Sequence, residues 1–137
     1  MVGDANYFDH DADIGIIGRG NSMEEAFEEA ALAMFSLMAD LSAVSSKQAI
    51  KMTFEEDDKD LAFVTWLNLL IAEAQAENLI LSSFKVKTQG HIWYGEATGE
   101  PWRQEIERGI DVKGATLTSL SVKEVNGKWE ARCVVDV

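Results

Sequence analysis

Residues 61–72, LAFVTWLNLLIA, are apolar on nearly every side of the helix they would form. Phe63, Val64, Trp66, Leu67, Leu69, Leu70 and Ile71 leave almost no polar stripe, and such a helix persists in water only when other elements cover most of its surface. Thr65 and Asn68 interrupt the run, which is far short of the roughly 20 apolar residues a membrane span needs. The chain therefore has to build its core around this segment. The acidic "DDKD" just before it supplies an N-cap, so the helix is expected over about Lys59–Glu77, ending near Asn78.

The flanking sequence supplies the covering elements. Tyr7 to Gly18 reads as one strand ended by the glycines of "GIIGRGNS". Ser22 with Glu25 forms a capping box for a helix over about Met23–Ala39. Phe27, Ala31, Met34 and Met38 form its apolar stripe, and Glu24, Glu25, Glu28 and Glu29 its acidic outer face. "KQAIKMTFEE" alternates Ile50, Met52 and Phe54 with polar residues, the pattern of a half-buried strand. From Leu79 onward the signals are mostly strand: "ILSSFKVKTQ", "IWYGEATGE", "DVKGATLTSLSVKEV" and "KWEARCVVDV", with Pro101–Gly109 left as a loop.

Asn126-Gly127 is a two-residue hairpin signal. Counting outward from it sets Val122 against Ala131, Leu120 against Cys133 and Thr118 against Val135 on one face, with Lys123 against Glu130 and Ser121 against Arg132 on the other. The expected fold is α+β, a largely antiparallel β-sheet packed with two main α-helices. Residues 1–137 are expected to form a single domain, long enough to bury about two thirds of the unfolded surface.

Charge narrows the function classes. Twelve basic and twenty-four acidic side chains give a net charge of −12, a field that repels phosphate backbones and anionic membranes. Neither stable direct nucleic-acid binding nor membrane binding is expected, whereas a divalent cation or a basic protein partner suits that field. The single Cys133 has no internal partner, and no basic, apolar leader opens the chain, so a cytoplasmic protein is expected.

Few residues suggest chemistry. "GIIGRG" lacks the spacing of nucleotide-binding glycine loops, and Glu24 and Glu25 occupy the helical turn where a phosphate would sit. "EEDDKD" lacks the alternating ligands of a calcium loop. His10 and His91 have no cysteine companions for a zinc site. His10 is read as structural or as orienting a neighbouring carboxylate, in preference to a general base.

The aspartates remain. "DHDADIG" gathers Asp9, His10, Asp11 and Asp13 at the start of the chain, and Asp136 stands one residue before Val137. If the first and last strands bring these ends together, two side-chain carboxylates and the main-chain carboxylate of Val137 converge. That all-oxygen set suits a hard cation such as Ca²⁺ or Mg²⁺.

"FDHDADIGIIGRGNSMEEAFEEAALAMFSLM" resembles the N-terminal motif of the archease family, and "VKGATLTSLSV" with "GKWEARCVVDV" resembles its C-terminal half. The resemblance implies a protein cofactor of the GTP-dependent tRNA-splicing RNA ligase. Such a protein promotes ligase guanylylation and turnover in tRNA exon joining and is not itself an enzyme. It also implies metal ligation by Asp13, Asp136 and Val137, with Ca²⁺ or Mg²⁺, or Mn²⁺, as the ion, and with Asp9, His10 and Asp11 as additional acidic or supporting groups. The family's lysine in its Lys-Ala-x-Thr motif matches Lys113, which is expected to contact the partner.

Two departures stand out. Asp11 replaces a common Thr, and Thr116-Leu117-Thr118 replaces a common Thr-Tyr-His. The readings from other classes are a stand-alone metal-dependent phosphoester hydrolase using Asp9, Asp11, Asp13 and Asp136, and a chaperone-like interaction module. The hydrolase lacks a nucleophile and a phosphate-binding Arg/Lys pair near the motif. A chaperone would protect many clients without a metal.

Overall fold

The computed structural model describes residues 6–137. Its opening differs from the sequence expectation, because Tyr7–Gly18 is not one strand. The chain reverses at Asp11 and Ala12, and β1 (Tyr7–His10) pairs antiparallel with β2 (Asp13–Gly20), Tyr7 opposite Ile16 and His10 opposite Asp13. Asp11 adopts φ 52°, a left-handed conformation that aspartate tolerates through local bonds of its short side chain.

The glycines that were expected to end this strand lie inside it. A Cβ on Gly18 would run into the backbone of Ala26 and Ala30, so glycine here lets α1 (Met23–Ser36) lie directly on β2. Ser22 caps the helix as expected, its Oγ accepting from the Glu25 amide at 3.1 Å, while the returning bond of the box is displaced by one residue, Glu25 Oε1 accepting from the Asn21 amide at 3.2 Å. The helix stops at Ser36, short of Ala39, because Ala39 leaves it to form a β-bridge with Arg108.

β3 (Gln48–Glu55), β4 (Leu79–Gln89) and β5 (Ile92–Pro101) form a three-stranded antiparallel sheet in the order β3-β5-β4. The second sheet runs β1-β2-β8-β6, with β7 also paired to β8. Here β6 is Gly114–Ala115, β7 Ser121–Val125 and β8 Lys128–Asp136. Every pairing is antiparallel.

Near the Asn126-Gly127 turn the register is the expected one, with Val122 opposite Ala131, Lys123 opposite Glu130 and Ser121 opposite Arg132. Beyond Ser121 it differs, since Ala115, not Thr118, stands opposite Val135. Thr116–Leu120 loops out of the ladder, with Ser119 at φ 55°. Leu120 is therefore not paired to Cys133, and "DVKGATLTSLSVKEV" forms two short strands in place of one. The loop keeps its hold on β8: Thr116 N donates to Val134 O at 3.0 Å, and Val134 N donates to Thr118 O at 2.9 Å.

α2 (Lys59–Ala76) is capped by Asp58, whose Oδ1 accepts from the Asp60 and Leu61 amides at 2.8 and 3.1 Å. Its buried residues include Ala62, Phe63, Trp66, Leu67, Leu70, Ile71 and Ala74. Both helices contact both sheets, which is how the apolar segment acquires its cover. The Phe27 and Trp93 rings stack at 5.0 Å beside Phe63, and Trp66 Nε1 donates to Phe27 O at 3.0 Å.

The polar residues of the helices close the edges of the sheets. Asn68 is bonded both ways to Ala115 of β6, at 3.1 and 2.8 Å, and Asp60 accepts from the Val122 amide of β7 at 2.9 Å. Glu28 accepts from the Val86 amide of β4 at 2.9 Å. Unpaired edge amides invite association with other strands, and these side chains occupy them. Glu28 thus leaves the solvated acidic face expected of α1. Among the described residues, no helix is long and apolar enough to cross a membrane.

Candidate functional site

The antiparallel register of β2 and β8 ends with Ile14 opposite Val135. Continued one step beyond the ladder, that register sets Asp13 and Asp136 on adjacent strands at the same end of the sheet. Asp13 Oδ1 also accepts a long hydrogen bond of 3.4 Å from the Val137 amide. On the other side of β8, Gly114 pairs with Asp136, and the Lys113 amide donates to Asp136 O at 2.8 Å. The fold therefore brings Asp13, Asp136, Val137 and Lys113 to one end of the larger sheet.

His10 pairs with Asp13 across the hairpin, extending this row to β1. Asp11 is at the hairpin tip, its Oδ2 3.9 Å from His10 Nδ1. Asp9 lies opposite Ile14, so strand alternation directs it to the other face from Asp13. The hairpin itself is clamped: the Phe8 ring covers Gly15, where a Cβ would collide with it, and the Arg132 guanidinium lies 4.4 Å from the Phe8 ring centre.

Asp136 is exposed and Asp13 half-buried. Among the described residues, neither is paired with a lysine or arginine. Nor do three or more His, Cys, Asp or Glu side chains there form a group able to hold a metal. The donor set is two side-chain carboxylates with the main-chain oxygen of Val137. All are hard oxygen donors, which fit Ca²⁺, Mg²⁺ or Mn²⁺ by chemistry. A cation seated there would keep positions open for water or for oxygens from another molecule.

A different carboxylate escaped the sequence reading. Glu100, 1% exposed, is bonded to Arg103 Nε at 2.9 Å and to the Ser45 amide at 2.6 Å, with Lys47 Nζ at 3.6 Å. The Arg103 bond, then the Ser45 amide, hold its carboxyl down at about 2. The group knots the end of β5 to the segment before β3. The one signal in the sequence was the i,i+3 spacing of Glu100 and Arg103. Cys133 is fully buried, and burial pushes its thiol up to about 12, leaving no thiolate for chemistry.

Residues 6–137 match the Archease protein family. The chain is 35% identical over 134 residues to protein archease of Sulfolobus acidocaldarius and 32% identical over 137 residues to that of Pyrococcus furiosus, with 96% of each chain covered in both cases. Among solved structures it is similar to protein 1598 of Methanobacterium thermoautotrophicum, with a TM-score of 0.87 at 32% identity over 96% of this chain and 97% of that one. It also shares the fold of an archease from Thermotoga maritima described as a possible chaperone, with a TM-score of 0.66 at 20% identity over 95% and 94% of the two chains. On a family match that runs from Asn6 to Val137, the chain belongs to the archease family.

Proposed function

We propose that this chain is a metal-binding activator of the GTP-dependent tRNA-splicing RNA ligase, a regulatory protein that acts in the cytoplasm and not an enzyme. The observation that supports this reading is the convergence of Asp13, Asp136 and Val137 beside Lys113, the positions that match the family's ligands and lysine. Asp13 and Asp136 hold a divalent ion through their carboxylates, and Val137 adds main-chain oxygen. The ion supplies positive charge beside phosphate oxygens when bound.

The chain's own groups fix where that charge stands. The paired strands β2 and β8 set the spacing of the two carboxylates, and the Phe8–Arg132 stack holds the β1–β2 hairpin against β8. Lys113 contributes an ammonium that cannot ligate a cation and so faces the partner or its nucleotide. The acidic end attracts the basic rim of a protein built to bind RNA, accelerating encounter more than it deepens affinity.

The test is multiple-turnover ligation and ligase guanylylation with the cognate ligase, GTP and metal, with and without this protein. Stimulation that needs both metal and Asp136 is the expected result. Phosphoester turnover by the isolated protein would favour the hydrolase reading. Metal-independent protection of unrelated unfolded proteins would favour a chaperone.

A further inference from the structure

Both helices finish at the end of the fold that carries the aspartates, and between them opens a cavity of about 460 Å³. Its floor is apolar and buried: Phe35 from α1, Ile71 and Ala74 from α2, Leu79 and Val112, none more than 5% exposed. Trp102 forms one wall, with the Arg108 guanidinium stacked 3.9 Å from its ring centre. The wall is fixed before any ligand arrives. Gly109 N donates to Met38 O at 2.6 Å and Ile110 N to Leu37 O at 2.7 Å, tying residues 109–110 to the end of α1.

The cavity adjoins the acidic end. Val112, on its floor, is followed by Lys113, whose amide binds Asp136 O. Flanking Lys113 along the chain are two of the few exposed large apolar residues, Ile110 at 42% and Leu117 at 64%. Leu117 rides on the loop that Val134 holds against β8, two residues from Asp136. A preformed apolar hole, the exposed apolar side chains of Ile110 and Leu117, and a neighbouring pair of carboxylates with no lysine or arginine partner among the described residues thus share one face.

The chemistry of the hole selects its occupant. Among the described residues, no buried side-chain nitrogen or oxygen lacks a hydrogen-bond partner, so the apolar floor presents no unsatisfied side-chain group for a polar metabolite. Gln75, Asn78, Arg108 and Asp111 line only the exposed mouth. An apolar floor within a polar rim is the anatomy of a protein hot-spot pocket. The two helix C-termini and the aspartates beyond Lys113 make the surroundings electronegative, which favours basic flanking residues on the partner.

We infer that this cavity is the socket for an apolar side chain of the ligase, presented between basic residues, with Ile110 and Leu117 completing the contact. The inference rests on the ligase reading and adds where the partner grips. Docking there sets the aspartates and Lys113 against the partner at a fixed offset, so that the socket supplies affinity and the acidic end supplies charge.

The experiment compares wild-type protein, Ala74→Trp and Ile110→Asp for affinity to the cognate ligase, with the thermal midpoint and its response to Ca²⁺ read on the same samples. Ala74→Trp fills the hole and Ile110→Asp charges its rim. Each is expected to weaken ligase binding tenfold or more while the Ca²⁺ response persists. If Ala74→Trp lowers the midpoint of the isolated protein, Ile110→Asp, at an exposed position, carries the result. Wild-type affinity in the rim variant overturns the socket and leaves the ligase reading standing. Absence of binding by the wild-type protein overturns both.

Discussion

Glu100 and the Asp13–Asp136 group are the same chemistry placed in opposite circumstances. Glu100 is buried and meets Arg103 and Lys47 from its own chain. Asp13 and Asp136 gather at a strand end, and no lysine or arginine among the described residues neutralises them. Removing a buried carboxylate from its cations strands those cations, whereas wet carboxylates can be changed with little effect on the fold. The first arrangement is what a chain builds to hold itself together. The second is where the proposed cation would bind.

Breaking the internal group has the largest expected effect on stability. Glu100→Ala leaves Arg103, Lys47 and the Ser45 amide without their acceptor, and its thermal midpoint should fall further than that of any variant at the acidic end. The pH dependence sharpens the point. A carboxyl held at about 2 in the fold against 4.5 when free adds stability that is complete above 4.5 and disappears as pH falls toward 2. Melting curves taken through that window should show a shallower acid limb in Glu100→Gln than in the wild type.

At the acidic end the large effect appears only with metal. A ligand bound to the native state alone, at a hundredfold excess over its Kd, stabilises by about 2.7 kcal/mol. Wild-type protein should show a gain of that order with Ca²⁺, and Asp13→Asn should lose most of it. A full calcium response in Asp13→Asn would place the ion elsewhere. Without metal, Asp136→Ala should change stability by no more than about 0.5 kcal/mol, as expected of an exposed side chain away from caps and core. The smallest change is expected from Lys113→Ala, which should leave the metal-free midpoint and the Ca²⁺ response unaltered while impairing ligase stimulation.

The sequence made some of this legible and hid the rest for identifiable reasons. Local chemistry was readable: Ser22 and Asp58 cap the helices, Asn126-Gly127 sets the hairpin register near its turn, and an apolar α2 required cover on both sides. The hairpin at Asp11 was hidden because no Gly or Pro marks the turn. The loop at Thr116–Leu120 was hidden in the same way, since its residues suit a strand and its bonds to Val134 depend on a partner far along the chain.

Asn68, Asp60 and Glu28 looked like an interruption, a cap neighbour and a solvated acid, and their roles at the sheet edges depend on tertiary contacts alone. The candidate ligands Asp13, Asp136 and Val137 were named from the strand ends and the archease resemblance. The β2–β8 register supplies what composition could not, namely which strands meet.

The contrast between the two carboxylate groups turns on whether the acidic end receives an external cation. Amide NMR with substoichiometric Mn²⁺ reads this directly, because paramagnetic broadening marks the residues around the bound ion. Selective broadening of Asp13, Ile14, Gly114, Asp136 and Val137 is expected, abolished in Asp136→Ala. Broadening along the exposed acidic face of α1, or at Glu100, with these five amides unaffected, would contradict that expectation.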